Sequence, residues 1–430
     1  MRSFTAFRTT VGILVALALA LPQARADDYA AEMANVVAAP PVREAMRLID
    51  TLDQQTIDWM IELTELPAPP FKEADRAKFF SYLLEETGFD NEIDQAGNVL
   101  ARIPGDGNGR TLAIVAHLDT VFPEGTDVKV RHHDSEYCAP GISDNGRGLV
   151  AMLALARVIK EASIGLRNDI LLVASVGEEG IGDLRGVRYL FRDGGPRIDE
   201  FIAIDGAGSS RVTVRSVGSI RYKLHIKGPG GHSFGAFGTA NPAHALARAI
   251  YYFDQDAAEF VVTPGEKATY NVGRIGGGTS VNSIPFENWA EVDMRSADPQ
   301  RLARLDEILK ASVDRAIVEQ NARRTEGAPL VSEPERIGFR PAGMTPMDTA
   351  LVQRVTLAMK ANGIDPDFRD GSTDANIPMS QGVPAVTVGG GGQSSGAHSL
   401  RECWVDDNSR VALKNIVLMT IASAGLVSAP

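Results

Sequence analysis

Short, almost continuously apolar runs alternate with polar loops and amphipathic stretches through the first half of the chain. Thr111–Ala116 (TLAIVA), Ile170–Val176 (ILLVASV) and Phe201–Ile204 (FIAI) have the pattern of strands buried on both faces, and Gly148–Lys160 that of a helix. Upstream, helical periodicity runs over about Val42–Leu66 and Lys72–Glu86, split by the breaker Pro67-Ala68-Pro69-Pro70. Residues 27–41 are Ala-rich and end in Pro40-Pro41, which predicts a mobile lead-in.

After Asp205 the pattern changes. Arg211–Lys227 alternates as strands do, and Gly228–Ser233 (GPGGHS) breaks it. Helices fit Pro242–Asp254 and Pro299–Gln320, and strands fit Ala268–Arg274 and Asn288–Arg295. That order is enough for a small separate α/β sandwich. The earlier alternation then resumes, with a helix at Asp348–Asn362, a strand at Val383–Val388 and a closing helix from about Asn408. The expected fold is therefore α/β, a mixed and largely parallel sheet flanked by helices. Its first domain is discontinuous (27–211 and 341–430) and receives an inserted two-layer sandwich at 212–340.

Composition narrows the function. The chain has 430 residues, 44% hydrophobic and 23% charged, with a net charge of −12. These values suit a globular protein and give no support to nucleic-acid binding, which needs a basic stripe. Residues 1–26 have the build of a secretory leader: Arg2 and Arg8, the eleven-residue apolar run Val11–Leu21, then Ala24-Arg25-Ala26 as the cleavage site. A membrane span needs roughly 20 apolar residues, and no later run approaches that, so the expected product is periplasmic or secreted and off the membrane. Cleavage removes three arginines and no acid, taking the charge from −12 to −15. The two cysteines, Cys138 and Cys403, exclude a disulfide scaffold and a Cys-based zinc site but allow one disulfide.

The acids and histidines fall at strand ends. His117 follows TLAIVA, with Asp119 two residues on; Asp144 lies in GISDNG before a helix; Glu178 and Glu179 follow ILLVASVG; Asp205 ends FIAID; His398 lies in a Gly/Ser loop after PAVTVG. In parallel sheets, sites form beyond the carboxyl ends of strands. Taken singly, each residue has an ordinary reading: Asp144 as a helix cap, Glu178-Glu179 as a solvated loop, His132-His133 as surface, His225 and His244 as structural. Together, two imidazoles and several carboxylates without a thiolate suit zinc, with cobalt or manganese as substitutes. One carboxylate can bridge two cations that share an activated water, and a further acid is needed to carry the proton.

AHLDTV (116–121), GISDNGRG (141–148), GEEG (177–180), IDG (204–206), GPGGHS (228–233), VNSIP (281–285), DMRS (293–296) and GSTDAN (371–376) occur in this order. With His398 they resemble the co-catalytic zinc peptidases and deacylases that include carboxypeptidase G, peptidase T, aminoacylase and acetylornithine deacetylase. The resemblance runs from about residue 50 to the C-terminus. It implies two zinc ions bridged by Asp144, one completed by His117 and Asp205, the other by Glu179 and His398. It also implies Glu178 as general base and Asp119 as the group orienting His117. The insert would be a lid or dimerisation domain in which His232 polarises the oxyanion and Asn282 and Arg295 hold substrate. Many relatives have a second Asp where Asn145 stands. The activity implied is an exopeptidase acting on short peptides, alternatively an N-acyl amino acid deacylase, and the assembly a homodimer; a binding protein that has lost catalysis is the rival of another class. Cys138 precedes Asp144 by six residues and Cys403 follows His398 by five, so a disulfide there could brace the metal-site loops.

Overall fold

A computed structural model describes residues 26–107 and 109–427; the expected leader lies outside them up to residue 25. The central sheet runs in the spatial order Asn91–Ile93, Val99–Ile103, Asp169–Ser175, Thr111–His117, Glu200–Ile204, Ala385–Val388, Arg211–Ser216, Gly343–Met344, and Asp367–Gly371 also pairs with Arg211–Ser216. The four strands at its middle, from Asp169–Ser175 to Ala385–Val388, are mutually parallel, and antiparallel pairs finish both sides. Every residue of Thr111–His117 is buried, because helices cover both faces of a parallel sheet. Gly148–Glu161 and Ser409–Ala424 pack on one face and Arg185–Leu190 on the other.

A second sheet is fully antiparallel: Ala268–Gly277, Glu287–Ser296, Gly218–Lys227, Val331–Arg340. Buried and half-buried positions alternate along Glu287–Ser296, so one face is apolar and meets Pro242–Val261 and Pro299–Ala322. Both helices start on a side-chain cap followed by proline, Asn241 accepting from Ala243 N and Asp298 from Gln300 N. The alternating stretch 211–227 is two strands, not one. Arg211–Ser216 stays in the central sheet and Gly218–Lys227 begins the second, so the 211/212 boundary expected from the pattern falls at the start of a strand and the crossing comes at Val217. Period-2 alternation cannot distinguish a strand that changes sheets from one that does not.

Two other expectations need correction. Residues 27–41 are not a mobile lead-in: Ala26–Ala38 is a helix whose Met33 and Val36 are buried in the main core. Pro40-Pro41 starts the following helix, Pro40–Ile49, at the positions where a missing N–H costs nothing. The stretch 42–66 is broken, with a second helix at Asp53–Thr64. Among the described residues no helix is long and apolar enough to cross a membrane.

A small antiparallel sheet, ordered Gln393–Ser395, Cys403–Val405, Glu136–Cys138, Arg131–His133, lies beside the carboxyl ends of the central strands. Cys138 and Cys403 are directly opposite in it and form a disulfide across 265 residues of sequence. Replacing both by serine should lower the unfolding free energy by about 2–4 kcal/mol, read from urea midpoints. Equal midpoints, or two free thiols in the native protein, would show that the bridge carries no load.

Candidate metal centre

The parallel strands deliver the sequence-predicted acids and histidines to one edge of the sheet. His117 ends its strand and is buried. Its Nδ1 lies 3.0 Å from the Asp119 carbonyl oxygen. A carbonyl only accepts, so Nδ1 carries the hydrogen and Nε2 is turned inward. That Nε2 is 3.1 Å from Asp144 Oδ1 and 4.0 Å from Asp205 Oδ1. The other Asp144 oxygen, Oδ2, is 3.1 Å from His398 Nε2, which is also 3.0 Å from Glu179 Oε1. Asp144 thus faces one imidazole with each oxygen. His117, Asp144 and Asp205 form one group with ligand atoms within 4.8 Å of one another, and Asp144, Glu179 and His398 form another. Glu136, Cys138 and Cys403 also converge, but both sulfurs are spent in the disulfide.

Asp119 meets the other ring nitrogen of His117, and it does so through its backbone. Its backbone carbonyl orients His117, while its fully buried carboxylate is 3.8 Å from Nδ1 and accepts from the backbone N–H groups of Glu178 (2.9 Å) and Glu179 (2.8 Å). Asn145 explains itself as well: its Nδ2 donates to Ile204 O (2.9 Å), and its Oδ1 accepts from Gly148 N and Gly206 N. An aspartate could not make the first of these bonds. The packing also requires Gly148, where an added Cβ would collide with Asn145 Oδ1 and the Ile204 carbonyl.

The electrostatics ask for positive charge. Burial would raise Asp144, yet hydrogen bonds with His117 and His398 hold it well below the usual carboxylate range. Burial would lower His117, but the bond to Asp144 and the surrounding carboxylates hold it well above its ordinary value. Hydrogen bonds to Asp144 and Glu179 push His398 up to about 10. Asp205 is raised by burial and then by the charge of Asp144. Protons on the imidazoles here do the work of cations, so this donor set fits two divalent ions of borderline hardness.

Two buried partners of the centre carry no local sequence signal. Arg340, from the second sheet, donates from Nη1 to Glu178 Oε1 (2.9 Å) and from Nη2 to the Glu178 carbonyl oxygen. Burial pushes Glu178 well above the carboxylate range, Arg340 pulls it back and Glu179 adds to the rise. Glu402 accepts four bonds from the 141–144 loop. Asp374, in the quoted GSTDAN string, is buried against the Ser175 hydroxyl, and burial pushes it up to about 6.

The remaining predicted residues lie on the second sheet and its loops. His232 pairs with Ser283 across a short ladder, and Ser233 N donates to Asn282 O, so His232 and Asn282 are neighbours. Both are exposed, and among the described residues neither makes a hydrogen bond or ion pair with the centre. Arg295 bonds Asp293 (2.8 Å), which also takes Arg221 (2.9 Å), and Arg221 reaches the carbonyl of Gly180 next to Glu179. His132 and His133 are exposed; His225 is half-buried between Glu287 and Glu335; His244, expected to be structural, is exposed on its helix.

The model of the family described as Peptidase family M20/M25/M40 matches residues 113–422. The uncharacterised protein YqjE of Bacillus subtilis is 23% identical over 354 residues, covering 78% of this chain and 90% of that protein. Aminopeptidase PepT from Bacillus cereus superposes with a TM-score of 0.68 at 20% identity over 86% of this chain and 99% of that one. The YxeP protein of Bacillus subtilis, described as a dinuclear metal binding peptidase of the M20 family, does so with a TM-score of 0.64 at 16% identity over 87% and 99%. At these identities the two solved structures share the fold.

Proposed function

This chain belongs to peptidase family M20/M25/M40 and is a metal-dependent hydrolase; we propose that it is an exported exopeptidase that uses two zinc ions to hydrolyse amide bonds of short peptides. The observation that carries this reading is Asp144, whose two oxygens each lie 3.1 Å from a different imidazole. His117 and Asp205 would hold one ion, Glu179 and His398 the other, with Asp144 shared. When bound, the ions supply an activated water and polarise the scissile carbonyl.

The protein's own groups move the proton. Glu178 takes it from the water and passes it to the leaving nitrogen. Arg340 aims Oε1 and offsets part of the rise that burial imposes on the carboxyl. Burial raises the affinity of the same group for the proton, so it can hold the proton until the amine leaves. Arg295 has the fork geometry to grip a substrate carboxylate.

His232 and Asn282 would complete a site in a second copy, which makes the inserted unit a dimerisation lid. Phe234, Phe237 and Val281, beside them, are exposed apolar side chains in one copy, surface of the kind an association buries. Export is supported by the leader pattern and by the Cys138–Cys403 disulfide, which persists in oxidising compartments.

The test is mass spectrometry of a mixed pool of dipeptides, tripeptides and N-acyl amino acids, incubated with the mature protein and zinc beside a chelator-treated control. The expected result is metal-dependent loss of one terminal residue from the peptides. Cleavage of the acyl amino acids alone would make it a deacylase, and no metal-dependent cleavage would overturn the reading.

A further inference from the structure

His117 and His398 are held very differently. His117 ends a central strand and its side chain is 2% exposed; that of His398 is 54% exposed, on the turn between Gln393–Ser395 and Cys403–Val405. His398 also has a φ of 61°, a left-handed conformation unfavourable for a non-glycine residue. Something other than the sheet must fix where this imidazole sits relative to Asp144.

Glu402 is placed to do so. It follows His398 by four residues, its N–H closes a turn on Ser399 O, and it is fully buried. Its Oε1 accepts from Ser143 N (2.9 Å), Ser143 Oγ (2.7 Å) and Asp144 N (3.0 Å), and its Oε2 from Gly141 N (3.0 Å). A carboxylate has about four acceptor sites, and the four bonds here, three on Oε1 and one on Oε2, all come from one loop. Among the described residues it makes no ion pair with a basic side chain. A buried charge is costly without partners, and three of these partners are backbone N–H groups of the loop that carries Asp144, the fourth being the Ser143 hydroxyl.

We propose that Glu402 is a positioning residue that locks the Asp144 loop to the His398 loop and thereby sets the affinity of the cation held by Asp144, Glu179 and His398. The inference rests on the two-cation reading above. Glutamine in its place turns an N–H₂ toward a backbone donor in either orientation, so the lock opens while the shape is kept.

The experiment titrates zinc into chelator-stripped protein by calorimetry, for wild type and Glu402→Gln, with far-UV circular dichroism as the folding control. Wild type should bind two ions; fewer would sink the two-cation reading itself. In the variant one step should stay and the other weaken by roughly 10- to 100-fold, the usual effect of losing a group that supports a ligand. Its kcat should fall at limiting zinc and recover at excess zinc with KM unchanged, which a general packing defect would not do. In a His398→Ala background the substitution should have no further effect on binding. Two wild-type affinities in folded Glu402→Gln would overturn the proposal. Should that variant fail to fold, Ser143→Ala removes one of the four bonds. It should weaken the same step by roughly fivefold, and unchanged affinity there would overturn the proposal equally.

Discussion

Glu178→Gln should lower kcat by roughly 100- to 10,000-fold, the range contributed by a positioned general base, while two metal ions stay bound. The two halves of this prediction rest on different contacts. Glu178 converges with His117 and Glu179 but is absent from both ligand groups that share Asp144, so removing its charge leaves the five donors of those groups in place. Its carboxylate is instead engaged by Arg340, 2.9 Å away. The amide oxygen of glutamine can still accept from that guanidinium, and Arg340 keeps its second bond to the residue-178 carbonyl. The fold around the base should therefore survive, and what is lost is the ability to take a proton. Steady-state kinetics on a peptide identified in the pool assay, with metal content by mass spectrometry, checks both halves. Turnover near wild type would remove Glu178 from the mechanism, whereas loss of an ion would recast it as a ligand.

The part of this centre legible in the sequence is the part delivered by parallel strands. Thr111–His117, Asp169–Ser175 and Glu200–Ile204 are short apolar runs because both sheet faces are covered, and each is followed by its acids or histidine. Pattern and position together place His117, Glu178, Glu179 and Asp205 at one edge. Arg340 and Glu402 were not legible. Arg340 meets a residue 162 positions away, and Glu402 grips backbone groups 258 to 261 positions away. Neither contact leaves a local pattern, since backbone N–H groups carry no sequence identity. The same limit applies to the Asp119 carboxylate, which accepts from the backbone N–H groups of Glu178 and Glu179, 59 and 60 positions away. The helix at Ala26–Ala38 was missed for another reason. Among its described side chains only Met33 and Val36 are buried, too few apolar positions in an Ala-rich stretch to declare a face.

Asp144→Asn should take the protein from two bound ions to at most one and reduce turnover by at least roughly 1000-fold, because both halves of the centre depend on this one side chain. Asparagine keeps the size of the residue, and its backbone N–H can still donate to Glu402, so the loop has no reason to move. What it lacks is a second anionic oxygen. In the native residue Oδ1 faces His117 and Oδ2 faces His398; in the amide one of these positions becomes an N–H₂ group, which repels a cation and cannot bridge. Stability offers an independent readout. An ion at 100 times its dissociation constant adds about 2.7 kcal/mol to the folded state, so stripping wild type with a chelator should lower its melting temperature clearly. In Asp144→Asn most of that chelator-induced shift should vanish. A variant that still binds two ions and melts lower on chelation would show that the two imidazoles, with Glu179 and Asp205, suffice to build separate sites. Asp144 would then be an ordinary neighbour of both, and the shared-carboxylate geometry would no longer explain the activity.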